Sequence, residues 1–358
     1  MKWLTAIGAL CGAALTVWLL ARFGIGNILD LLGQAGWGIA AVMAFHLLQV
    51  LFSALGWRAI AGQTRPQPPL LDFVLLRWIR EGVNNLLPVA QVGGEFAATR
   101  LLRRRGVSLV QATAGTVCDL TMEMLTQILF TISGLLVLLE LLGRSRVTDE
   151  VAGGIGVALL VGVLFLGGQW FGLAGLIEKG LMKLSGQFGW QGMGEMRGLH
   201  RTLTGLYKKP RNVAWATVHQ SVSWLLGAVE VCLALHFLHH DRSLAVGLVI
   251  ESLGQAVKAA GFAVPGALGV SEGGFVLVGG LFGIPPAACI ALALIKRMRE
   301  IVLGLPALGA WQWLDRHWAR LPGPGAGHPS VADAERPGPD QRREEGRADA
   351  ALEYGDAS

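Results

Sequence analysis

Long apolar segments alternate with short polar ones along most of the chain. Apolar windows predict membrane-spanning helices at Leu4–Ala21, Trp37–Trp57, Val107–Leu142, Val151–Leu173, Val213–Leu238 and Pro285–Leu314. A helix needs about 20 predominantly apolar residues to cross a bilayer, and each window approaches or exceeds that length. The third window is longer than a span requires, so we expect that helix to be tilted, kinked or protruding. The pattern therefore predicts an all-α polytopic membrane protein with about six transmembrane helices.

Two further apolar segments, Leu70–Leu102 and Leu244–Gly283, are interrupted in the middle by proline and glycine. Proline ends a helix because it lacks an N–H donor, and glycine permits the chain to reverse. We therefore predict that each segment is a re-entrant helical hairpin, which enters the membrane and returns. Irregular backbone at that depth is tolerated only against protein or a water-filled cavity, so the hairpin tips predict a cavity. The breaker residues are Pro88, Gly93, Gly94, Pro265 and Gly266.

The two broken segments match each other at a constant offset of 177 residues. Without a gap, this offset pairs Pro88 with Pro265, Glu95 with Glu272, Gly106 with Gly283 and Glu123 with Glu300. An odd number of predicted spans lies between the hairpins, so the second hairpin must enter from the opposite side. We therefore predict an inverted repeat with units at about residues 37–142 and 213–314, an arrangement typical of secondary transporters.

Composition and charge set the expected class and orientation. Of the 358 residues, 53% are hydrophobic and 15% charged, and the mean hydropathy is +0.51, which excludes a soluble protein. Residues 58–106 hold eight Arg against three acids, and residues 175–211 hold seven Lys or Arg against two. By the positive-inside rule both segments face the cytoplasm, so the net charge of +5 does not indicate a nucleic-acid partner.

The two ends of the chain are expected to lie in the cytoplasm. The N-terminal segment has one Lys and then an apolar run, but no small-residue cleavage site follows, so we expect a retained first span. Residues 321–358 are rich in Pro, Gly and charge and lack periodicity, which predicts a disordered cytoplasmic tail. Residues 1–320 would then form the transmembrane domain.

Charged residues within the predicted spans are candidate functional groups. Asp119 and Glu123 are four residues apart and share one helix face, as do Lys296 and Glu300. A charge near the bilayer centre costs at least about 2.5 to 3.5 kcal/mol, so each should face the interior and have a partner. One interpretation is a set of structural ion pairs that join Asp119 or Glu123 to Lys296, Arg297 or Arg299. The other is a polar pathway that holds an anionic lipid head group or relays protons.

Glu95 and Glu272 lie at the predicted hairpin tips and are interpreted as pathway residues. The alternative is N-capping of the second hairpin arm, where a carboxylate accepts backbone N–H bonds. A structural role, by pairing within an arm or across a hairpin, is expected for Arg80, Glu81, Glu251 and Lys258. The role of Glu230, isolated in its span, is open.

The sequence has no signature of soluble-type catalysis. Its four cysteines lie far apart in apolar segments without a CxxC pair, so we expect neither disulfides nor metal ligands. No Walker A, GxSxG or HExxH motif is present. The sequence therefore predicts a protein that is not an enzyme and holds no cofactor or metal.

Three runs carry a family resemblance: "REGVNNLLPVAQVGGEFAATRLLRRRGVSLVQATAGTVCDLTMEML", "PGALGVSEGGFVLVGGLFGIPPAA" and "IKRMREIVLGLPAL". They resemble the lysylphosphatidylglycerol synthase transmembrane, or flippase-like, family, and particularly its bacterial members associated with hopanoid biosynthesis. The resemblance covers roughly residues 1–318. It implies a bacterial inner-membrane protein that handles amphiphilic lipids, moving them between leaflets or supporting their export.

The resemblance also marks individual positions. The matching residues are Asn85, Pro88, Gly94, Glu95, Arg100, Asp119, Glu123, Pro265, Gly266, Glu272 and Glu300. Well-known members of the family carry a cytoplasmic aminoacyltransferase domain after the membrane part, whereas here about 37 residues follow. We therefore expect no lysyl transfer by this chain.

The sequence supports two hypotheses of function. The first is a lipid transporter or flippase that handles hopanoids or related amphiphilic lipids, with membrane lipids (hopanoid or anionic phospholipid) as its partners. Its candidate pathway residues are Asn85, Glu95, Arg100, Asp119, Glu123, Glu272, Lys296, Arg299 and Glu300. The second is a non-transporting scaffold that binds lipid-biosynthesis enzymes through the basic segment at residues 175–211 and the tail.

Overall fold

The computed structural model describes residues 18, 22, 25–61, 67–87, 93–143, 153, 156, 160, 198–260 and 267–318. Every regular element within these residues is an α-helix, as the sequence predicts. The predicted spans at Leu4–Ala21 and Val151–Leu173 lie outside the described residues except at isolated positions. The same is true of Pro88, Pro265, Gly266, most of the basic segment at residues 175–211 and the whole tail.

The described ranges contain ten helices. They are α1 (Ile25–Ala35), α2 (Trp37–Ala61), α3 (Leu70–Leu86), α4 (Gly93–Arg104), α5 (Leu109–Leu142), α6 (Leu199–Tyr207), α7 (Pro210–Phe237), α8 (Leu244–Ala260), α9 (Val270–Gly280) and α10 (Pro286–Trp318). Of these, α2, α5 and α7 are long and apolar enough to cross a membrane. They coincide with three of the predicted spans. Helix α10 has 33 residues but carries four charges in its middle, and its crossing stays a prediction.

The two broken segments each contain a pair of helices. Helix α3 ends at Leu86 and α4 begins at Gly93, while α8 ends at Ala260 and α9 begins at Val270. The helix, break, helix order is as predicted, and the re-entrant course of each pair through a membrane stays a prediction.

The long helices α5 and α10 follow equivalent turns. Gly106 and Gly283 have φ angles of 83° and 68°, in the left-handed region that favours glycine. The Ser108 hydroxyl then caps α5 by accepting a hydrogen bond from a backbone amide, whereas Pro286 occupies the first position of α10. The start of α9 follows that of α4 by 177 residues, and the start of α10 follows that of α5 by the same number.

The helices of the two halves exchange partners. Helix α2 packs along α7, α3 packs against α10, and α8 packs against α5. Gly82 and Gly304 lie where α3 meets α10, and a Cβ on Gly82 would come within 3.2 Å of the Gly304 Cα. A Cβ on Gly134 of α5 would overlap the Ser252 hydroxyl of α8. The first helix of each broken segment, α3 or α8, thus packs against the long helix of the other half, which brings charged residues from both halves together.

Candidate functional site

A polar cavity of about 280 Å³ lies between helices of both halves. Its walls come from α2, α3, α4, α5, α7, α8 and α10. The ionisable side chains on these walls are His46, Arg77, Arg80, Glu81, Glu95, Glu123, Glu251, Lys258, Arg299 and Glu300. Three of the surrounding helices have membrane-crossing length, so charges at this depth are tolerable only when they are paired.

Five residues form the amino-terminal cluster: Arg77, Arg80, Glu95, Asp119 and Glu123. The Arg77 guanidinium donates two hydrogen bonds to the Glu123 carboxylate, at 2.8 and 2.6 Å. Arg80 donates to Asp119 at 2.5 Å and also to Glu123. The three-residue spacing on α3 and the four-residue spacing on α5 put both arginines and both acids on facing sides. Asp119 is fully buried, so its charge depends on Arg80.

The amino-terminal cluster extends to the break between α3 and α4. Glu95 lies 3.3 Å from the Arg80 Nε and accepts hydrogen bonds from the Asn84 amide at 3.2 and 3.3 Å. The Gly94 amide donates to the Asn84 side-chain oxygen at 2.8 Å. Asn84, on α3, therefore caps α4, and the Glu95 carboxylate faces Arg80. A Cβ on Gly94 would collide with the Arg80 carbonyl, so glycine is required for this close approach.

Eight residues form the carboxy-terminal cluster: Glu230, Glu251, Lys258, Glu272, Lys296, Arg297, Arg299 and Glu300. At its inner end the Lys296 ammonium lies 2.6 Å from Glu251 and 3.8 Å from Glu230. Arg299 also donates to Glu230. Both acids are almost completely buried, and each is held by at least one cation.

The outer end of the carboxy-terminal cluster contains a second group of pairs. Lys258 donates to Glu300 at 2.7 Å, and Arg297 donates to the same carboxylate at 2.9 Å. Arg297 also lies 3.5 Å from Glu272, which accepts a hydrogen bond from the Ser271 hydroxyl at 2.9 Å. Glu272 is thus placed near the start of α9 by side-chain contacts rather than by capping bonds.

His46 of α2 joins the two halves. Its Nδ1 lies 3.0 Å from a Glu230 oxygen, and its Nε2 lies 2.8 Å from a Glu81 oxygen. Gln49, three residues along α2, also donates to Glu230. One turn further, the Ser53 hydroxyl donates to the Gln220 side-chain oxygen of α7 at 2.7 Å. Side-chain hydrogen bonds therefore join α2 to α7 along the wall of the cavity.

The structure brings together most of the predicted pathway residues. Asn85, Glu95, Glu123, Arg299 and Glu300 line the cavity. Asp119 and Lys296 lie directly behind it, through Arg80 and Glu251. Glu272 lies further away and is linked to the cavity through Arg297, which pairs with the cavity-lining Glu300. Arg100 is not brought to the cavity: its side chain is 59% exposed and donates to Asp315 at 3.0 and 2.9 Å.

The predicted partners of the acids on α5 were wrong. Asp119 and Glu123 pair with Arg77 and Arg80, not with Lys296, Arg297 or Arg299. The reason is that α3 presents two long arginine side chains to α5, while the cations of α10 have their own acids. The charges on α3 and α8 do not pair within an arm. Arg80 does pair across the first broken segment, because its Nε lies 3.3 Å from Glu95 of α4. The other ion pairs of Arg80, Glu81, Glu251 and Lys258 join them to α5, α2 or α10.

Sequence reasoning missed His46, Gln49, Ser53, Arg77 and Gln220. A signal was present, because His46, Gln49 and Ser53 are spaced three and four residues apart and mark a polar stripe on an otherwise apolar helix. Arg77 was counted among the loop charges. The structure shows that Arg77 and Arg80 belong to α3 and the buried cluster.

The arrangement favours binding and exchange of charged groups. Glu123 is paired with both Arg77 and Arg80, and Glu300 with both Lys258 and Arg297, so a polar ligand can take one cation while the carboxylate keeps the other. Among the described residues, no set of three or more His, Cys, Asp or Glu is placed to hold a metal ion. Cys118, Cys232 and Cys289 are free thiols.

A comparison with protein families identifies the family of this chain. The family described as lysylphosphatidylglycerol synthase TM region matches residues 5–307. No curated protein and no solved structure matches the chain. The matched range includes every residue of the two clusters and all three helices of membrane-crossing length. The chain is therefore a multi-pass membrane protein involved in lipid handling, and it belongs to the lysylphosphatidylglycerol synthase TM region family.

Proposed function

We propose that this protein moves a lipid with a polar head group between the leaflets of the bacterial inner membrane. The head group would pass through the polar cavity. The observation that carries the proposal is this cavity of about 280 Å³, which is lined by ionisable residues and bordered by three helices of membrane-crossing length.

The size of the cavity suits a head group. Small-molecule pockets are typically about 300 to 1,000 Å³, and this cavity is close to the lower limit. A whole lipid would not fit. The apolar part of the lipid would stay among outward-facing side chains such as Leu129 and Leu136, which are exposed on α5.

The paired charges suit transient binding. A bound head group would take one of the two cations of Glu123 or Glu300, and the carboxylate would keep the other, so no charge is left without a partner. In this proposal the α3–α4 and α8–α9 pairs are re-entrant hairpins of an inverted repeat, and the two ends of the chain are cytoplasmic. Opposite sides would open in turn, as expected for such repeats.

The substrate class follows from the family resemblance. A hopanoid or a related amphiphilic lipid combines a small polar group with a large apolar body, which matches the division between cavity and outer surface. The protein would act without chemical change to the lipid.

A vesicle assay tests the proposal. Purified protein is reconstituted in phosphatidylethanolamine and phosphatidylglycerol vesicles with one of two fluorescent probes, a head-group-labelled phosphatidylglycerol or a labelled polar hopanoid. Dithionite then reports the label in the outer leaflet. We expect wild type to transfer at least one probe. Glu95→Gln should reduce the rate by about tenfold, the equivalent of 1.4 kcal/mol, and Glu272→Gln by less because it does not line the cavity.

Glu140→Gln is the matched control. Glu140 lies on α5, as Glu123 does, but its side chain is exposed. This variant should transfer at the wild-type rate. Equal rates in Glu95→Gln and wild type would remove the site assignment. No transfer of either probe by wild type would remove the function and favour a scaffold for lipid-biosynthesis enzymes.

A further inference from the structure

His46 occupies the middle of a membrane-crossing helix and contacts one acid from each half. It is the tenth residue of the 25-residue α2, about 14 Å along a helix of about 37 Å. Its two ring nitrogens lie 2.8 Å from Glu81 of α3 and 3.0 Å from Glu230 of α7. The imidazole is therefore placed between two carboxylates at membrane depth.

This geometry requires an additional proton. An ionised carboxylate only accepts hydrogen bonds, and a neutral imidazole has one N–H and one lone pair. Two short bonds to two carboxylates need either an imidazolium or a neutral ring with one protonated carboxyl. When that proton leaves, a ring lone pair faces a carboxylate, and one of the two bonds is lost.

The partners of each acid determine which bond is lost. Glu230 retains hydrogen bonds from Arg299 and Gln49. Within the described part of the chain, Glu81 accepts a hydrogen bond from no side chain other than His46. The remaining N–H therefore serves Glu81, and the bond between His46 and Glu230 opens. Among the described residues, that bond is one of three hydrogen bonds between side chains that join α2 to α7, with those of Gln49 and Ser53.

The surrounding charges favour proton uptake. Helix α3 presents Arg77, Arg80 and Glu81, and α5 presents Asp119 and Glu123. Helix α7 presents Glu230, α8 presents Glu251, and α10 presents Lys296, Arg299 and Glu300. Asp30 of α1 is exposed and does not join them. The two clusters and Glu81 together hold six cations against eight carboxylates, so one more positive charge reduces an excess of negative charge.

A route for the proton exists at one end of the group. The Glu81 side chain is 26% exposed, whereas that of Glu230 is 1% exposed. Glu81 and His46 both line the cavity, while Glu230 lies behind it. A proton from water can therefore reach His46 through Glu81.

We propose that His46, with Glu81 and Glu230, is a proton-coupling site that drives lipid movement. One proton is taken from water on one side, held between the imidazole and its carboxylates, and released to water on the other side in each cycle. The protonated form adds the bond between His46 and Glu230 to the contacts between the halves, and the deprotonated form loses that bond. This inference rests on the proposed function, because leaflet transfer is the work that the proton drives.

The first test imposes a pH gradient on vesicles that contain the two lipid probes. Valinomycin and potassium clamp the membrane potential. With one proton per lipid, a gradient of one pH unit should shift the steady-state leaflet ratio of the transported probe by up to about tenfold. His46→Gln should show no shift. If this variant does not fold, Glu81→Gln removes only the outer bond and should also abolish the shift.

His236→Gln is the matched control. His236 forms the same kind of pair, 2.7 Å from Asp241, but both side chains are largely exposed and lie away from the cavity. Its leaflet ratio should follow the gradient as in wild type. Loss of the shift in this variant as well would contradict the assignment to His46.

The second test does not need transport. NMR of 15N-histidine-labelled protein in lipid nanodiscs should show that the His46 ring takes up a proton within the pH range of the gradient experiment, with a displaced midpoint in Glu81→Gln. Transfer without any effect of the gradient would overturn the inference and leave the proposed function intact. No transfer by wild type, together with His46 titration, would overturn the proposed function and retain the proton site. A His46 ring that does not titrate would overturn the inference in every case.

Discussion

The two charged clusters use equivalent positions on the long helices α5 and α10, with one reversal of sign. Glu123 and Glu300, which are 177 residues apart, each accept a hydrogen bond from a basic residue on α3 or α8, Arg77 at 2.6 Å and Lys258 at 2.7 Å. Four residues earlier on the same helices, Asp119 pairs with Arg80, whereas Lys296 pairs with Glu251. Both long helices therefore form an ion pair at this position, but the long helix supplies the acid in the first half and the base in the second.

The opposite charges of Asp119 and Lys296 show that each buried charge is neutralised by a partner close to it. The long helix of each half finds its countercharge on a nearby arm, so the sign at one position can change when its partner changes too. The balance is nevertheless unequal. The amino-terminal cluster has two cations for three acids, and the carboxy-terminal cluster has four for four. The excess acid lies on the side of Glu81 and His46, where the proton is proposed to bind.

The largest expected effect comes from placing a lysine at position 119, so that this position has the positive charge of its equivalent, Lys296. Asp119→Lys would place a third cation beside Arg77 and Arg80 at a fully buried position. We expect a loss of about 5 kcal/mol in the free energy of unfolding, measured by denaturant titration in detergent. Adding Arg80→Glu recreates the signs of Lys296 and Glu251, and should recover at least about 1 kcal/mol. A double variant as unstable as the single one would show that the sign is not interchangeable.

A smaller loss is expected when one cation of the amino-terminal cluster is removed. Arg80→Met leaves the buried Asp119 carboxylate without its main partner, which should cost about 4 kcal/mol. Arg100→Met is the control, because Arg100 forms an exposed pair with Asp315, and it should cost at most about 1 kcal/mol. Equal losses in the same denaturant titration would contradict the importance of the cluster.

A still smaller loss is expected in the carboxy-terminal cluster. Lys296→Met removes the positive charge and keeps a side chain of similar volume. Glu230 retains Arg299, and Glu251 retains a hydrogen bond from Gln255 at 2.8 Å. Because neither acid is left without a donor, we expect about 2 kcal/mol. A loss as large as that of Arg80→Met would mean that the retained partners do not compensate.

Much of the fold could be predicted from local sequence patterns. The spans at α2, α5 and α7 follow from apolar length, and the helix breaks follow from glycine and proline. The offset of 177 residues holds for the starts of α9 and α10 relative to α4 and α5. The packing of α3 against α10, and of α8 against α5, could not be predicted. It depends on where helices meet closely, as at Gly82 and Gly304, and sequence spacing does not determine that.

The sequence predicted many residues of the site but few of the contacts between them. Glu95, Asp119, Glu123, Lys296 and Glu300 were identified from position and charge. Their partners depend on how far long side chains reach across the cavity, which no helical spacing gives. His46 shows what was available and missed, because its place in the polar stripe of α2 could have identified it.

Photo-crosslinking tests most directly whether a lipid head group enters the cavity. Phosphatidylglycerol with a diazirine in the head group, or in an acyl chain, is added to vesicles that contain the protein, and labelled residues are mapped by mass spectrometry. Met124 and Gln127 line the cavity, whereas Leu129 and Leu136 of the same helix are exposed outside it. We predict that the head-group probe labels Met124 or Gln127 and the acyl-chain probe labels Leu129 or Leu136. A head-group probe that labels the outward-facing leucines and spares both cavity residues would contradict the account.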